Sequence, residues 1–569
     1  MSVDTRIPTP VPTPVTTPVA GKPGALPRPT PERTAVVLTL LAIVGISIYS
    51  LAKAEISIAN MVGSIANAER FLARVGTVKF PPLAELLELT VLTLGLVLTG
   101  TLLAAVLSVP VAYIAAANTT PGPAFQAAGR FITVFTRAIP DVVFAMVFIL
   151  VFSIGALPGI LAIGLHSIGM ISKLFADAIE QIDEGPRLAI RAAGGSKTQE
   201  FIGGVLPQVL PSWIATVLHR NDINLRGSVI LGYVGVVGLG LEMSHAFKSL
   251  NYSLGVGIAI VMFILCVAME LVSGAIRKVL LGHAANTTRS TAKRAMARRA
   301  ARAAAPLTVH SRRPWTPARV RNLLWGWGAV AVAVAGVWVC DIKWSDLIEV
   351  WPKLPAIMAQ FWPPNFGSYD FATMASAMGK TLAIALAAVI LSLVFSLVLG
   401  SLAARNVAPN DSVRAGSRLA LVAIRGVPEI ILAILLIIVT GLGSQAGIIA
   451  LAFAGVGLLG KLIADSLEEV QTGPQRALTA TGATRFQTYV SATLPQGARA
   501  IIGHSFYLLD SNIRAATILG IVGGGGIGYY LLNAGQGSNY PLVTSIVLMI
   551  LVAGLAVEGI AMWVRKVLR

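Results

Sequence analysis

Apolar runs long enough to cross ~30 Å of hydrocarbon recur along this chain, and no soluble fold buries so many. They lie near 34–52, 86–117, 138–156, 158–180, 211–234 and 254–276, and again near 322–341, 376–404, 427–442, 445–466, 499–522 and 542–564. The runs are too long for barrel strands, and backbone in lipid must satisfy its own polar groups, so helices are expected. Only 12% of residues are charged and 55% are hydrophobic. That excludes a disordered chain and leaves too little polar surface for an ordinary soluble enzyme. The expected fold is all-α, a polytopic membrane protein with about twelve transmembrane helices. Cys266 and Cys340 both sit in apolar runs and have no metal-ligand neighbours at motif spacing.

Charge sets the orientation. Residues 277–321 hold ten Arg, two Lys and no acid. A run such as Arg294, Arg298, Arg299 and Arg302 reads as a cytoplasmic loop, or as a helix lying on anionic membrane lipid, rather than as a nucleic-acid site. Arg28, Arg33, Arg565, Lys566 and Arg569 place both termini on that same side. The protein is then expected in the cell inner or plasma membrane, with an even number of spans in each half. Residues 1–33 form a Pro/Thr-rich tail, expected to be extended, disordered and cytoplasmic. The first apolar run sits behind this tail and is not read as a cleaved signal.

Adding 288 to a residue number maps the first half onto the second without a gap. Asn118 meets Asn406, Arg137 meets Arg425, Pro140 meets Pro428, Lys173 meets Lys461, and Glu270 meets Glu558. Over 173–208 the count is 14 identities in 36 positions. Two copies with even span counts insert the same way up, which implies a pseudo-twofold axis along the membrane normal. The expected organisation is the tail at 1–33, a first unit at 34–280, a basic linker at 281–321 and a second unit at 322–569. A shared pathway belongs at the interface between the units.

The most informative stretch is KLFADAIEQIDEGPRLAIRAAGGSKTQEFIGGVLPQVLPSW at 173–213, with its partner at 461–500. Gly194-Gly195 is helix punctuation, and one short amphipathic helix is expected between Gly194 and Pro207, N-capped by Ser196. Held between two breaks on the cytoplasmic side, such a helix suits pressing on a partner. The spacing Ala-x4-Gly-x12-Pro resembles the EAA loop of permeases in ATP-binding-cassette importers. Ala189, Gly194, Leu206 and Pro207 fit that pattern, as do Ala477, Gly482, Leu494 and Pro495. The sequence departs from it at Leu188 and Arg476, where the motif has Glu, and at Gly204 and Ala492, where it has Ile. Blocks such as RAIPD, NDINLRGSVILGYVG, RGVPE and DSNIRAATILGIVGGGGIG sharpen the likeness to the phosphonate-transport permease subfamily, with two units fused in one chain. The resemblance implies two type I importer permease units of six helices each. It implies two copies of a separate ATPase that binds the ATP and Mg, so this chain carries no cofactor. It also implies an extracytoplasmic substrate-binding protein, and a cargo of phosphonate, phosphate or phosphite.

Nothing in the chain reads as a nucleotide site. Gly379-Lys380-Thr381 mimics the end of a P-loop, but Met374 stands where that motif needs Gly. Gly523, Gly525 and Gly528 satisfy G-x-G-x-x-G without a βαβ context, and they read as a hinge or as close packing.

An ionisable group at the bilayer centre costs roughly 2.5–3.5 kcal/mol on insertion scales, so it marks a pathway or a pair. Asp222, Asn224 and Arg226, with Asp510, Asn512 and Arg514, lie inside the fifth span of each half. Each Asp and Arg are i,i+4, which allows a self-neutralising pair. Alternatively, Arg226 and Arg514 face the seam and meet an oxyanion. Arg137 and Arg425 read as loop anchors or lipid-phosphate contacts, and His166, which has no repeat mate, as an interior histidine. Glu270 and Glu558 are seven residues from Arg277 and Arg565, too far for an adjacent-turn pair, and are expected to find partners on other helices. The rival reading is a six-plus-six secondary transporter driven by an ion gradient through Asp222 and Asp510.

Overall fold

A computed structural model describes residues 30–54, 65–302 and 317–568. Among them every regular element is a helix. The first half contains α1 (Pro31–Lys53), α2 (Ile65–Val75), α3 (Leu83–Ala115), α4 (Pro123–Ala138), α5 (Asp141–Phe152), α6 (Ala156–Glu180), α7 (Glu184–Ala192), α8 (Lys197–Tyr233), α9 (Leu239–Lys248) and α10 (Tyr252–Arg302). The second contains α11 (Pro317–Val339), α12 (Trp344–Ala359), α13 (Phe371–Ala403), α14 (Asp411–Gly426), α15 (Glu429–Thr440), α16 (Ser444–Glu468), α17 (Thr472–Ala480), α18 (Arg485–Gly524), α19 (Ile527–Gln536) and α20 (Tyr540–Val567). Shifted by 288, α3 to α7 and α9 coincide residue for residue with α13 to α17 and α19. Eight helices can cross a membrane alone, and four bent pairs raise the number to twelve. The Pro/Thr run of the tail and residues 303–316 of the linker lie outside the described residues, while the basic run up to Arg302 continues α10.

The third span of each half is not a straight crossing. The apolar run 138–156 contains only α5, twelve residues and so ~18 Å long, preceded by α4 at a bend of 87°. Its repeat mate shows the same bend, 75°, between α14 and α15. Pro140 and Pro428 cause it. Proline lacks an N–H and forces the preceding residue to extend, as Ile139 (ψ 125°) and Val427 (ψ 119°) do.

Small residues set the tight contacts. A Cβ at Gly100 of α3 would come within 2.9 Å of Ile163 on α6, and one at Gly400 of α13 within 2.6 Å of the Gly460 carbonyl on α16. The first helix of each half crosses over to the other. Val36 of α1 is buried with Ile384, Ala385 and Ala388 of α13 and Ala561 and Val564 of α20. In the other direction, α11 lies on α3, where a Cβ at Gly95 would be 3.1 Å from the Gly336 carbonyl. Chain order and packing therefore part company at 31–53 and 317–339. The seam between halves is closed by apolar contacts of α5, whose Val142 and Ala145 share a core with Ile430, Ile431 and Ile434 of α15.

Candidate functional site

Each half presents an exposed helical hairpin between its α6-type and α8-type helices. In the first, α7 ends in a left-handed turn at Gly194 (φ +80°), closed by the Gly195 N–H on the Ile190 carbonyl at 2.9 Å. In the second, Gly482 (φ +84°) takes the same turn, with Ala483 N–H on Leu478 O at 3.1 Å. An L-residue pays steric strain there and glycine does not. Ala189, Gly194, Ser196, Pro207, Ala477, Gly482 and Pro495 are exposed, whereas Leu206 and Leu494 are half-buried. Ser196 is the N-cap of α8, in a reciprocal box with Gln199, and Thr484 and Gln487 repeat the box on α18.

The second expected break is absent. Glu200–Val205 and Tyr489–Thr493 are π-helical, and the chain runs through Pro207 and Pro495 into the membrane helix without interruption. The Leu206 N–H reaches back to the Phe201 carbonyl, five residues away, and that widened turn absorbs the missing proline donor. The presumed separate helix is the first turns of α8, a single 37-residue rod. Asp222 lies about 24 Å further along it.

The two hairpins are held differently. In the first, Glu200 receives Arg191 in a two-pronged pair, both bonds 2.9 Å, and lies 3.3 Å from Arg187. Arg187 also bonds Glu184 at 2.5 Å, and Asn118 Nδ2 donates to the same carboxylate at 2.8 Å. Burial opposes the Glu184 charge, but the Asn118 and Arg187 bonds outweigh it and hold the carboxyl below its ordinary value. In the second hairpin the corresponding residues are Thr472, Gln475, Thr479 and Thr488. Across the hairpin, Gln475 Nε2 donates to Thr493 Oγ1 at 2.9 Å.

Deep in the seam the duplicated charges pair both within and across halves. Arg226 Nη2 donates to Asp222 (2.9 Å) and to Glu270 (3.0 Å), and its Nη1 reaches the Arg425 backbone carbonyl at 2.5 Å. Arg425 in turn lies 3.2 Å from Glu270 and 3.8 Å from Asp222. The mirror cluster has Arg514 on Asp510 at 2.8 Å, and Arg137 on Glu558 across the seam at 3.2 Å. Arg565 also reaches Glu558 at 3.3 Å, so an arginine side chain does bridge two turns of helix. Arg137 and Arg425 are thus not loop anchors facing lipid phosphate. The bend after α4 and α14 turns them inward, where their side chains are 9% and 13% exposed.

Asn224 and Asn512 face their own bundles. Asn224 bonds Thr101 (2.9 Å) and Ser167 (3.1 Å). The equivalent positions in the second half are Val389 and Gly455, and the buried Asn512 Nδ2 has no partner. His166 is an interior residue, its Nδ1 2.9 Å from the Ile139 carbonyl. Sequence reasoning passed over Arg220, which is buried beside Ser167 (Nε to Oγ, 3.0 Å). Its repeat mate is Leu508, so a search for duplicated residues could not find it. An arginine within an apolar run was the available signal.

The glycine clusters are close-packing turns. A Cβ on Gly520 would come within 2.8 Å of the Gly528 Cα, and Gly235 and Gly523 both have φ +109°. Thr93 Oγ1 accepts the Leu239 N–H at 3.0 Å, and Thr381 Oγ1 the Ile527 N–H at 2.9 Å. The threonine of Gly379-Lys380-Thr381 thus starts a short helix.

Duplicated bundles of bent helices, meeting at a charged seam and each presenting an exposed glycine-turned hairpin, define a multi-pass membrane protein built to carry a polar cargo. The chain belongs to the family of binding-protein-dependent transport system inner membrane components, which it matches at residues 108–285 and 396–569. It is a transport component and not itself an enzyme. It is 40% identical over 481 residues to the phosphate-import permease protein PhnE of Mycolicibacterium smegmatis, covering 84% of this chain and 85% of that one. It is 38% identical to the phosphite transport system permease protein PtxC of Stutzerimonas stutzeri over 186 residues, 33% of this chain and 68% of the relative. A chain of the inward-facing MetNI methionine ABC transporter is 22% identical with a TM-score of 0.32, covering 34% of this chain and 96% of that one.

Proposed function

We propose that this chain is a two-unit permease of an ATP-driven importer that moves a phosphorus oxyanion, whether phosphate, phosphite or phosphonate, into the cytoplasm. The observation that carries the reading is 40% identity, along most of both chains, to a phosphate-import permease. The buried arginine seam supports it, because a guanidinium matches the oxygens of such a cargo. The partners are two copies of an ATPase, one for each hairpin, and an extracytoplasmic binding protein. The hairpin residues around Gly194 and Gly482 transmit the ATPase stroke, and α8 and α18 deliver it to Asp222, Arg226, Asp510 and Arg514. Both termini and the basic linker 281–321 lie on the ATPase side, between permease units 34–280 and 322–569.

Reconstitution tests this. Vesicles holding the permease, its ATPase and its binding protein should take up labelled phosphate or methylphosphonate only with internal ATP. Uptake that persists without ATP and collapses with a protonophore would point to an ion-gradient carrier instead.

A further inference from the structure

Among the described residues, Arg220 is a buried seam arginine with no carboxylate in ion-pair contact. It is 7% exposed, in the middle of α8, and its one hydrogen bond runs from Nε to Ser167 Oγ. Among the described residues no carboxylate comes within 4.0 Å of it, the limit for an ion pair. The other buried seam arginines are matched. Arg226 and Arg425 share Asp222 and Glu270, Arg137 has Glu558, and Arg514 has Asp510. The nearest counter-charge is the buried Asp141 at the start of α5, which acts on Arg220 from beyond ion-pair distance while its Oδ1 accepts the Val142 N–H. Across the seam Arg220 is close enough to Tyr507 and Arg514 of α18 to feel their charge.

A buried guanidinium with one of its five donors used has hydrogen bonds to spare for a visiting anion. The surroundings suit a small tetrahedral oxyanion. Ser167 fixes the guanidinium: its hydroxyl donates to Asn224 Oδ1 and accepts from Arg220 Nε and Asn224 Nδ2. His166, the preceding residue of α6, is tied to the Ile139 carbonyl beside the α4–α5 bend. Arg514 of the other half, paired with Asp510, adds positive charge nearby. We propose that Arg220, positioned by Ser167, is the oxyanion seat in the translocation path, and that Arg226, paired with Asp222, Glu270 and the Arg425 carbonyl, instead holds the halves together. The seat is one-sided, because Leu508 and Gly455 replace Arg220 and Ser167 in the second half. It accepts one anion per permease, off the pseudo-twofold axis.

The proposal rests on the phosphorus-oxyanion reading and refines it, and the test separates the two. Equilibrium dialysis of labelled phosphate, methylphosphonate and sulfate against the permease–ATPase complex in lipid nanodiscs gives the affinity of the seat. Arg220→Met should weaken binding about 10- to 100-fold, the scale of losing charge-assisted hydrogen bonds. Arg220→Lys should recover part of the loss, and the exposed Arg130→Ala should change nothing. Should Arg220→Met fail to fold, Ser167→Ala decides, since it unseats the guanidinium and keeps its charge. Unchanged phosphate affinity in the Arg220 variants, or in Ser167→Ala, overturns the seat and leaves the cargo reading intact. Wild-type binding of sulfate alone, lost in Arg220→Met, overturns the cargo and leaves the seat. Failure of the wild type to bind any of the three overturns the seat.

Discussion

The centre of the first half is polar where the second is apolar. Asn224 sits among Thr101, Ser167 and Arg220, while the residues equivalent to those three in the second half, which holds Asn512, are Val389, Gly455 and Leu508. The hairpins differ in the same direction, four charged residues against three threonines and a glutamine. What both halves keep is the backbone: the proline bends, the left-handed glycines, the capping boxes and the cross-seam Arg–Glu contact. Duplication has preserved the moving frame and let the contents diverge. That is the pattern expected if both halves transmit force and one binds cargo.

The seam offers the sharpest way to break that comparison. Glu270 and Glu558 each hold two arginines, but Glu270 is 13% exposed and Glu558 is 21% exposed. Removing one partner of a buried ion pair costs on the order of 3–5 kcal/mol, because the other charge stays behind. Glu270→Ala should therefore lower the thermal stability of the purified chain by about that much, and Glu558→Ala by clearly less. Equal losses would mean that the two clusters carry equal load.

The glycine turns should respond alike. Valine at Gly194 or at Gly482 forces a β-branched residue to positive φ, a strain of roughly 1–3 kcal/mol. In reconstituted vesicles either substitution should leave ATP hydrolysis running with little transport. A defect confined to one position would mean that a single hairpin drives the cycle.

The hairpin staples sharpen the contrast at lower cost. Amide exchange should be slower over 184–205 than over 472–493, and Glu200→Gln should erase the difference. Identical exchange in the wild type would show that the ion network adds no rigidity. A smaller effect follows from Glu184. Its carboxyl is held below the ordinary value of 4.5, so its stabilising contribution is present above that pH and fades as pH falls through the lower folded value. The exchange difference between hairpins should shrink only in that acid range, and Glu184→Gln should remove this pH dependence.

Much of the frame was legible because lipid leaves so few choices. Apolar runs located the crossings, and the 288-residue offset read from the sequence recurs in six helix pairs whose boundaries agree residue for residue. The shortness of α5 was hidden because the run 138–156 is apolar on both sides of Pro140, and hydropathy does not register a missing N–H. Leu-Pro exits were taken for breaks, although a π turn lets proline sit inside a continuous helix. The Asp222–Arg226 pair followed from i,i+4 spacing, but the partners of Arg137 and Arg425 did not, since they come from the other half. Arg220 was lost because it is unrepeated, and the crossing of α1 and α11 rests on contacts such as Gly95 on Gly336 that no periodicity announces.

That crossing makes the polypeptide a clasp. With α1 hooked over the second bundle and α11 over the first, a proteolytic nick between residues 302 and 317 would sever the covalent tether and leave two fragments still buckled together. The mutual grip of the outermost helices, rather than the fusion itself, then keeps the pair in register.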